Sequence, residues 1–517
     1  MAKSRTANVV RNSSASMMNK IIQMVVQFVM RTVFIKFLGN EYTGVSGLFT
    51  DILHVLSLME LGLDSSMVYS LYKPLLNKDR QKTNALLNFY RKAFNIIGAI
   101  VLAAGICITP FINHIVKDVP NITEDIHGIF LMYVMTSGLS YFLIYKTILL
   151  RADQKAHIIY IVNSIVAVAE MAAEIVLLLV FKKFYAYLIM RLVATMASNL
   201  ILSYITSKKY ADFFNDRSAS ISEDEKKSLF KDLACLTVYN LSGVVINSTD
   251  SIFISALIGT VEVAIVGNFT LIINSIRTAV NQVVIAAKPS IGNLAVSATP
   301  EKQENVFNIM NFLFFCISCL CSTCLMVLLN PFVSEIWFRG DKYRIAVGII
   351  ALLVINFHIA VMVFPVESFR TANGLFVQGW MRPAVMAVMN IVLDMVFGKL
   401  WGIAGIFLAT TISRLLTQVW FDPYLIYKMV FKKSPMKYFF IYLMYAAVTA
   451  ASCAAAYLLA DAVPIGNIYL CFIYKMAVSV TVPVVIIVVL FHKTEGFRYV
   501  IDNFSKIKKK LLKKKSA

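Results

Sequence analysis

The chain has 517 residues, of which 59% are hydrophobic and 15% charged, and its formal net charge is +20. So few charges over so much apolar surface exclude a string of water-soluble domains, which carry nearer a quarter charged residues. What is left is a lipid-embedded chain whose backbone polar groups are satisfied in helices or in a closed barrel, and apolar runs without period-two alternation exclude the barrel.

The N-terminus opens on a polar lead with no signal-peptide cleavage motif. Apolar runs then predict an all-α integral membrane protein of about fourteen helices, over 14–38, 44–72, 93–109, 127–148, 158–180, 185–205, 231–257, 263–287, 306–330, 344–369, 383–397, 403–427, 438–459 and 468–491. Helix 1 carries Gln23, Gln27 and Arg31 at i, i+4 and i+8, one helical face, with Lys36 further along. Helix 2 carries Asp51, His54, Glu60 and Asp64. Helix 5 holds Glu170 and Glu174 one turn apart. A mixed-charge segment, 206–230, reads as a cytoplasmic connector. Helix 7 contributes Asn240, Asn247 and Asp250, and helix 8 Asn274, Arg277, Asn281 and Lys288. In helix 9, Cys316, Cys319, Cys321 and Cys324 have a metal-like spacing. They lack any charged or histidine surroundings and read as small hydrophobes, so no metal is expected. Helix 11 has Asn390 and Asp394. The tail holds seven lysines between Lys506 and Lys515, a topology signal lying on anionic lipid rather than a nucleic-acid site.

Charge placement tests the count. With the N-terminus inside, the cytoplasmic segments hold 33 Lys and Arg, and the opposite side holds six. That asymmetry predicts both termini in the cytoplasm.

Shifting the sequence by 220 residues lays Phe37–Ile52 on Leu257–Ile272, matching Gly39 with Gly259, Gly47 with Gly267 and Phe49 with Phe269. The same shift lays His54 on Asn274 and Glu174 on Asp394. Helices 1–6 (1–205, an N-lobe) and 7–12 (231–430, a C-lobe) then form parallel repeats. Helices 13 and 14 (431–491) are an appendix, followed by the basic tail 492–517. Two such lobes predict a pathway between them that opens by rocking.

Ionisable residues inside a membrane face a cavity or a partner. The stripes on helices 1, 2, 7 and 8 give Gln27, Arg31, His54, Asn247, Asn274, Arg277 and Asn281 as candidate substrate-cavity residues. Interhelical hydrogen bonding is the bland reading for the Asn and Gln side chains. Arg31 and Arg277 cannot shed their charge and need water, a carboxylate or an anionic substrate. Asp51, Glu170, Glu174 and Asp394 are candidates either for a coupling ion or for neutralising arginines within a lobe. Lys288, Arg191 and Arg414 sit nearer span ends, where they can snorkel. No phosphate-binding loop, zinc motif or nucleophile elbow occurs, so neither an ATPase nor another enzyme is expected, and no cofactor.

The stretch from Arg31 to Leu75, RTVFIKFLGNEYTGVSGLFTDILHVLSLMELGLDSSMVYSLYKPL, resembles the Wzx-type oligosaccharide flippases, the polysaccharide transporter branch of the superfamily that contains the MATE exporters. Glu367–Phe376 and Trp380–Met395 resemble that family too. The resemblance implies a MATE-like fold in a bacterial cytoplasmic membrane. It also implies transport of undecaprenyl-diphosphate-linked oligosaccharide units from the inner to the outer leaflet for capsule or exopolysaccharide synthesis. A polymerase of the same pathway is the implied partner, and Arg31 and Arg277 the cations for the diphosphate. A lipid II flippase is the alternative on the same fold. A MATE-type exporter fits less well, because a cationic cavity repels cationic drugs.

Overall fold

The computed structural model describes residues 2–56, 63–116, 122–214, 219–223, 227, 248–375, 378–379 and 381–499. Among them every regular element is helical. The longer helices are α1 (Ala2–Leu56), α2 (Leu63–Leu76), α3 (Arg80–Ile108), α4 (Ile126–Ile144), α5 (His157–Phe181), α6 (Phe184–Lys209), α7 (Thr260–Ser297), α8 (Pro300–Asn330), α9 (Val347–Ala372), α10 (Met381–Ile426), α11 (Met436–Asp461) and α12 (Ile468–Phe491). Eleven helical stretches among the described residues are long and apolar enough to cross a membrane. Large apolar side chains face outward, such as Phe440 at 74% and Leu443 at 67% exposure, as suits a surface solvated by lipid.

Two of those stretches, Arg11–Leu56 and Met381–Phe431, have 46 and 51 residues. At 1.5 Å per residue each reaches about 70 Å, twice the hydrocarbon thickness. Each is broken at one glycine: Gly39 at φ 89°, ψ −177°, and Gly402 at φ 59°, ψ −136°. A Cβ is strongly disfavoured at both backbone conformations. The breaks fall where the sequence separates helix 1 from 2 and helix 11 from 12. The expected span 231–257 lies mostly outside the described residues, which omit 228–247.

The chain divides into two compact units, Met1–Ile265 and Val266–Ala517. In the first, α3 packs on α4, α5 on α6, and α1 along α5. In the second, α8 packs on α9 and α9 on α10, while α11 and α12 pack on α8 and on each other. The two C-terminal helices are thus built into the second unit. Tyr445 of α11 stacks on Phe315 of α8, centroids 4.0 Å apart and planes at 9°, and Phe491 at the end of α12 lies 5.3 Å from Phe315.

Several element boundaries fall 220 residues apart. α3 begins at Arg80 behind Asp79, whose side chain accepts from the Lys82 N–H at 2.9 Å. α8 begins at Pro300 behind Thr299, which accepts from the Lys302 N–H at 3.5 Å. Each is an N-cap offsetting one orphan donor, worth about 1 kcal/mol. The turn between α5 and α6 is made by Lys182 at φ 52°, ψ 29°, and Gly402 occupies the matching place in α10.

The loops that enter the fourth helix of each set are pinned differently. In the first unit, Glu124 accepts from the Phe184 N–H (3.0 Å), the Thr123 hydroxyl (2.9 Å) and the Tyr42 hydroxyl. Partial burial works against its charge, yet the Tyr42, Phe184 and Thr123 donors hold the carboxyl below the usual carboxylate range. In the second unit the corresponding loop is held by neutral Asn330, which donates to the Ile345 carbonyl (2.9 Å) and accepts from its N–H (3.1 Å).

Candidate functional site

In the first unit the polar face of α1 carries half-buried Gln23, exposed Gln27 and half-buried Arg31. The Arg31 guanidinium donates to the Ala264 carbonyl at 2.8 Å, so the start of α7 anchors it. Asp51 and His54 form an i, i+3 pair, Oδ1 to Nδ1 3.8 Å, with the His54 side chain 62% exposed. Asn247 lies outside the described residues.

A second polar cluster in this unit sits where α4, α5 and α6 meet. Glu174 is 4% exposed and its Oε1 has no hydrogen-bond partner. Glu170 is half-buried one turn away. Arg191 of α6 lies within electrostatic range of both and 5.6 Å from the Tyr133 ring centroid, a cation–π distance. The Tyr133 hydroxyl in turn shares a 2.6 Å hydrogen bond with Ser46. The expectation that Arg191 snorkels is therefore corrected. It lies two turns inside α6, held between an aromatic face and two carboxylates. The structure thus brings Glu170 and Glu174 together around an arginine that sequence position had set aside.

In the second unit, Asn274 is exposed and Arg277 and Asn281 are half-buried on α7. Among the described residues Arg277 has no hydrogen bond and no ion pair. Deeper in this unit Asn390 and Asp394 are fully buried on α10. Asn390 Nδ2 donates to Asp394 Oδ1 at 3.2 Å and to Thr410 Oγ1 at 3.3 Å. A carboxylate, an amide and a hydroxyl converge there, a set suited to a proton or a hard cation.

Sequence reasoning missed a third cluster. Arg370 and Arg382 both pair with Asp422, at 2.9 and 3.3 Å, and Arg370 Nε also donates to the Leu375 carbonyl at 3.0 Å. Arg370 and Asp422 are each 2% exposed. Both arginines read as cytoplasmic loop residues, and nothing in the spacing from Arg370 to Asp422 marks them as partners. The only local signal was a lone acid near the end of a span. The contrast gives the site its chemistry: these arginines share a carboxylate within their unit, while Arg277 has no ion pair among the described residues.

No group of three or more His, Cys, Asp or Glu side chains arranged for a metal occurs among the described residues. A family model described as polysaccharide biosynthesis protein matches residues 9–294. A comparison with curated proteins finds no match. Among solved structures, the lipid II flippase MurJ in an inward closed conformation is 14% identical. That match covers 93% of this chain and 99% of the other at a TM-score of 0.66. An inward-facing multidrug resistance MATE family transporter of the MOP superfamily is 14% identical over 79% of this chain and 95% of its own, TM-score 0.57. A MOP superfamily transporter from Pyrococcus furiosus, described by the reverse polarity of its binding pocket, is 14% identical over 80% and 93%, TM-score 0.51. At this identity the likeness shows the fold alone.

Proposed function

The chain belongs to the polysaccharide biosynthesis protein family, and on that premise we propose that it is a flippase. Its substrate in this reading is an undecaprenyl-diphosphate-linked oligosaccharide, carried from the inner to the outer leaflet of a bacterial cytoplasmic membrane for capsule or exopolysaccharide synthesis. Both termini lie in the cytoplasm, and a polymerase of the same pathway receives the product. The observation that carries the reading is Arg277. A guanidinium on a membrane helix without a counter-ion among the described residues favours an anionic guest. A diphosphate headgroup supplies that charge and takes charge-assisted hydrogen bonds from it. Asn274 and Asn281, on the same face, offer donors and acceptors for sugar hydroxyls. From the first unit, Gln27 and His54 offer donors and acceptors, and Arg31 donors alone. Asp394 is the proposed coupling group, Glu170 and Glu174 offset Arg191 within the first unit, and Asp51 partners His54.

The test is a clean deletion complemented with wild type or Arg277→Gln. The deletion is expected to accumulate lipid-linked repeat units on the cytoplasmic face, and Arg277→Gln to restore less than a tenth of the export. Unimpaired surface polysaccharide in the deletion would sink the flippase reading. Lipid II transport is the second reading, favoured by the near-complete overlap with MurJ. Accumulation of peptidoglycan precursors in place of repeat units would select it.

A further inference from the structure

The end of the first unit that carries the N-terminus gathers positive charge by design of its hydrogen bonds. Asn12 of α1 reaches the turn before α5: its Nδ2 donates to the Gln154 carbonyl at 2.8 Å, and its Oδ1 accepts from the His157 N–H at 2.9 Å. The same turn is tied to the end of α6, where the Tyr210 hydroxyl donates to Asp153 at 2.6 Å. These two ties draw three cations from three separate segments into one place: Arg11 beside Asn12, Lys155 in the turn, and Lys209 at the end of α6. All three lie within electrostatic range of His157. Lys155 and Lys209 face each other closely enough to repel. Lys155 has Asp153 at 2.5 Å and the Tyr210 ring at 5.6 Å. Arg11 and Lys209 are exposed and form no ion pair among the described residues. Asp153 pairs with Lys155 and lies within electrostatic range of Lys209, Arg11 adds a third cation beside them, and like charges held together are unfavourable until an anion joins them.

We propose that Arg11, Lys155 and Lys209 form a binding site for the headgroup phosphate of an anionic phospholipid in the leaflet facing the cytoplasm. Positive-inside placement explains lysines scattered along loops. It does not explain why hydrogen-bonded ties converge three of them. With the termini in the cytoplasm, as proposed above, the starts of α1 and α5 and the end of α6 fall at headgroup depth, where a phosphodiester oxygen is the abundant anion. The site belongs to the first unit and Arg277 to the second, and the lipid bound there is the same whichever molecule is transported.

The experiment uses the full-length protein in phosphatidylcholine nanodiscs titrated with phosphatidylglycerol, with bound lipid counted by native mass spectrometry. Wild type is expected to retain one phosphatidylglycerol. Retention falls about fivefold in Arg11→Gln or Lys209→Gln and about thirtyfold in the pair, while Lys209→Arg keeps it, which guards against misfolding as the cause. Lys302→Gln, a basic change elsewhere, leaves it unaltered. Equal retention in wild type and the double variant overturns the proposal. So does an equal loss in Lys302→Gln, which would make the attraction diffuse. If inorganic phosphate binds wild type but not the double variant while phosphatidylglycerol is never retained, the site takes a free anion and the lipid assignment fails.

Discussion

At matching places in the 220-residue register the two units solve the same problem differently. In the first, α5 presents Glu170 and Glu174 to Arg191, with Tyr133 behind the arginine. In the second, Asn390 and Asp394 stand where the two glutamates stand, and Thr411 stands where Arg191 does, next to the Thr410 that hydrogen-bonds Asn390. One unit sets two acids beside one fixed cation. In the other, the acid accepts from the Asn390 amide, which also donates to Thr410. A shared backbone register thus constrains where polar groups can sit, and not what charge they carry. The carboxylates facing a permanent arginine are suited to holding structure, and Asp394, bonded to an amide, is the candidate for exchanging a proton or a cation.

The largest expected effect breaks the first half of that contrast. Arg191→Gln leaves two buried carboxylates with no counter-charge and should lower stability by about 3–5 kcal/mol. The readout is thermal unfolding of the purified protein. Adding Glu174→Gln to the same chain should recover part of the loss, and an unchanged midpoint in Arg191→Gln would show that the arginine neutralises nothing.

Function should divide the other way. Asp394→Asn is expected to reduce transport severalfold and to alter its dependence on pH or cation concentration, and Glu174→Gln to leave that dependence as it was. Wild-type rates with unchanged ion dependence in Asp394→Asn would remove the coupling role from the second unit.

A smaller effect concerns the matched turns. Gly402→Ala places a Cβ in a conformation that only glycine adopts readily and should destabilise by about 1–3 kcal/mol. Lys182→Gly, in an ordinary left-handed cap, should be neutral or stabilise by about 0.5 kcal/mol. Equal effects at the two positions would mean that the turns are interchangeable.

The smallest effect is in the loop clasps. Glu124 has its carboxyl pKa depressed in the folded protein. Its contribution is present above the unfolded value and is lost as pH falls through the folded one, a window below the ordinary carboxylate range. Wild type should lose more thermal stability than Glu124→Gln between neutral pH and pH of about 3.5. Asn330, with nothing to titrate, should give Asn330→Ala a loss that does not vary with pH. Parallel pH profiles for wild type and Glu124→Gln would show that the clasp does not report the charge.

Much of this architecture was legible because it is written in local chemistry. Gly39 interrupts an apolar run too long for one crossing. Glu170 and Glu174 announce themselves as acids one turn apart inside a span. Arg191 was misjudged because hydropathy locates a residue along the membrane normal and not around the helix. Position near a span end suggested a route to water, while α4 and α5 in fact close over it. Arg370, Arg382 and Asp422 were hidden for a related reason. The Arg370 pair depends on how α9 and α10 meet across 52 residues of chain, the Arg382 pair joins residues on either side of the break at Gly402, and no periodicity encodes either.

The stacked rings of Phe315 and Tyr445, with Phe491 against them, have a practical consequence. The chain beyond α12 is drawn in as well, since the Cβ that Gly496 lacks would fall 2.8 Å from the Phe312 ring. The C-terminal hairpin is therefore rigidly geared to α8, and a spectroscopic label placed on it would travel with the second unit. Fluorescence from such a label during turnover would follow that unit's displacement without altering Arg277 or the other residues proposed to meet the substrate.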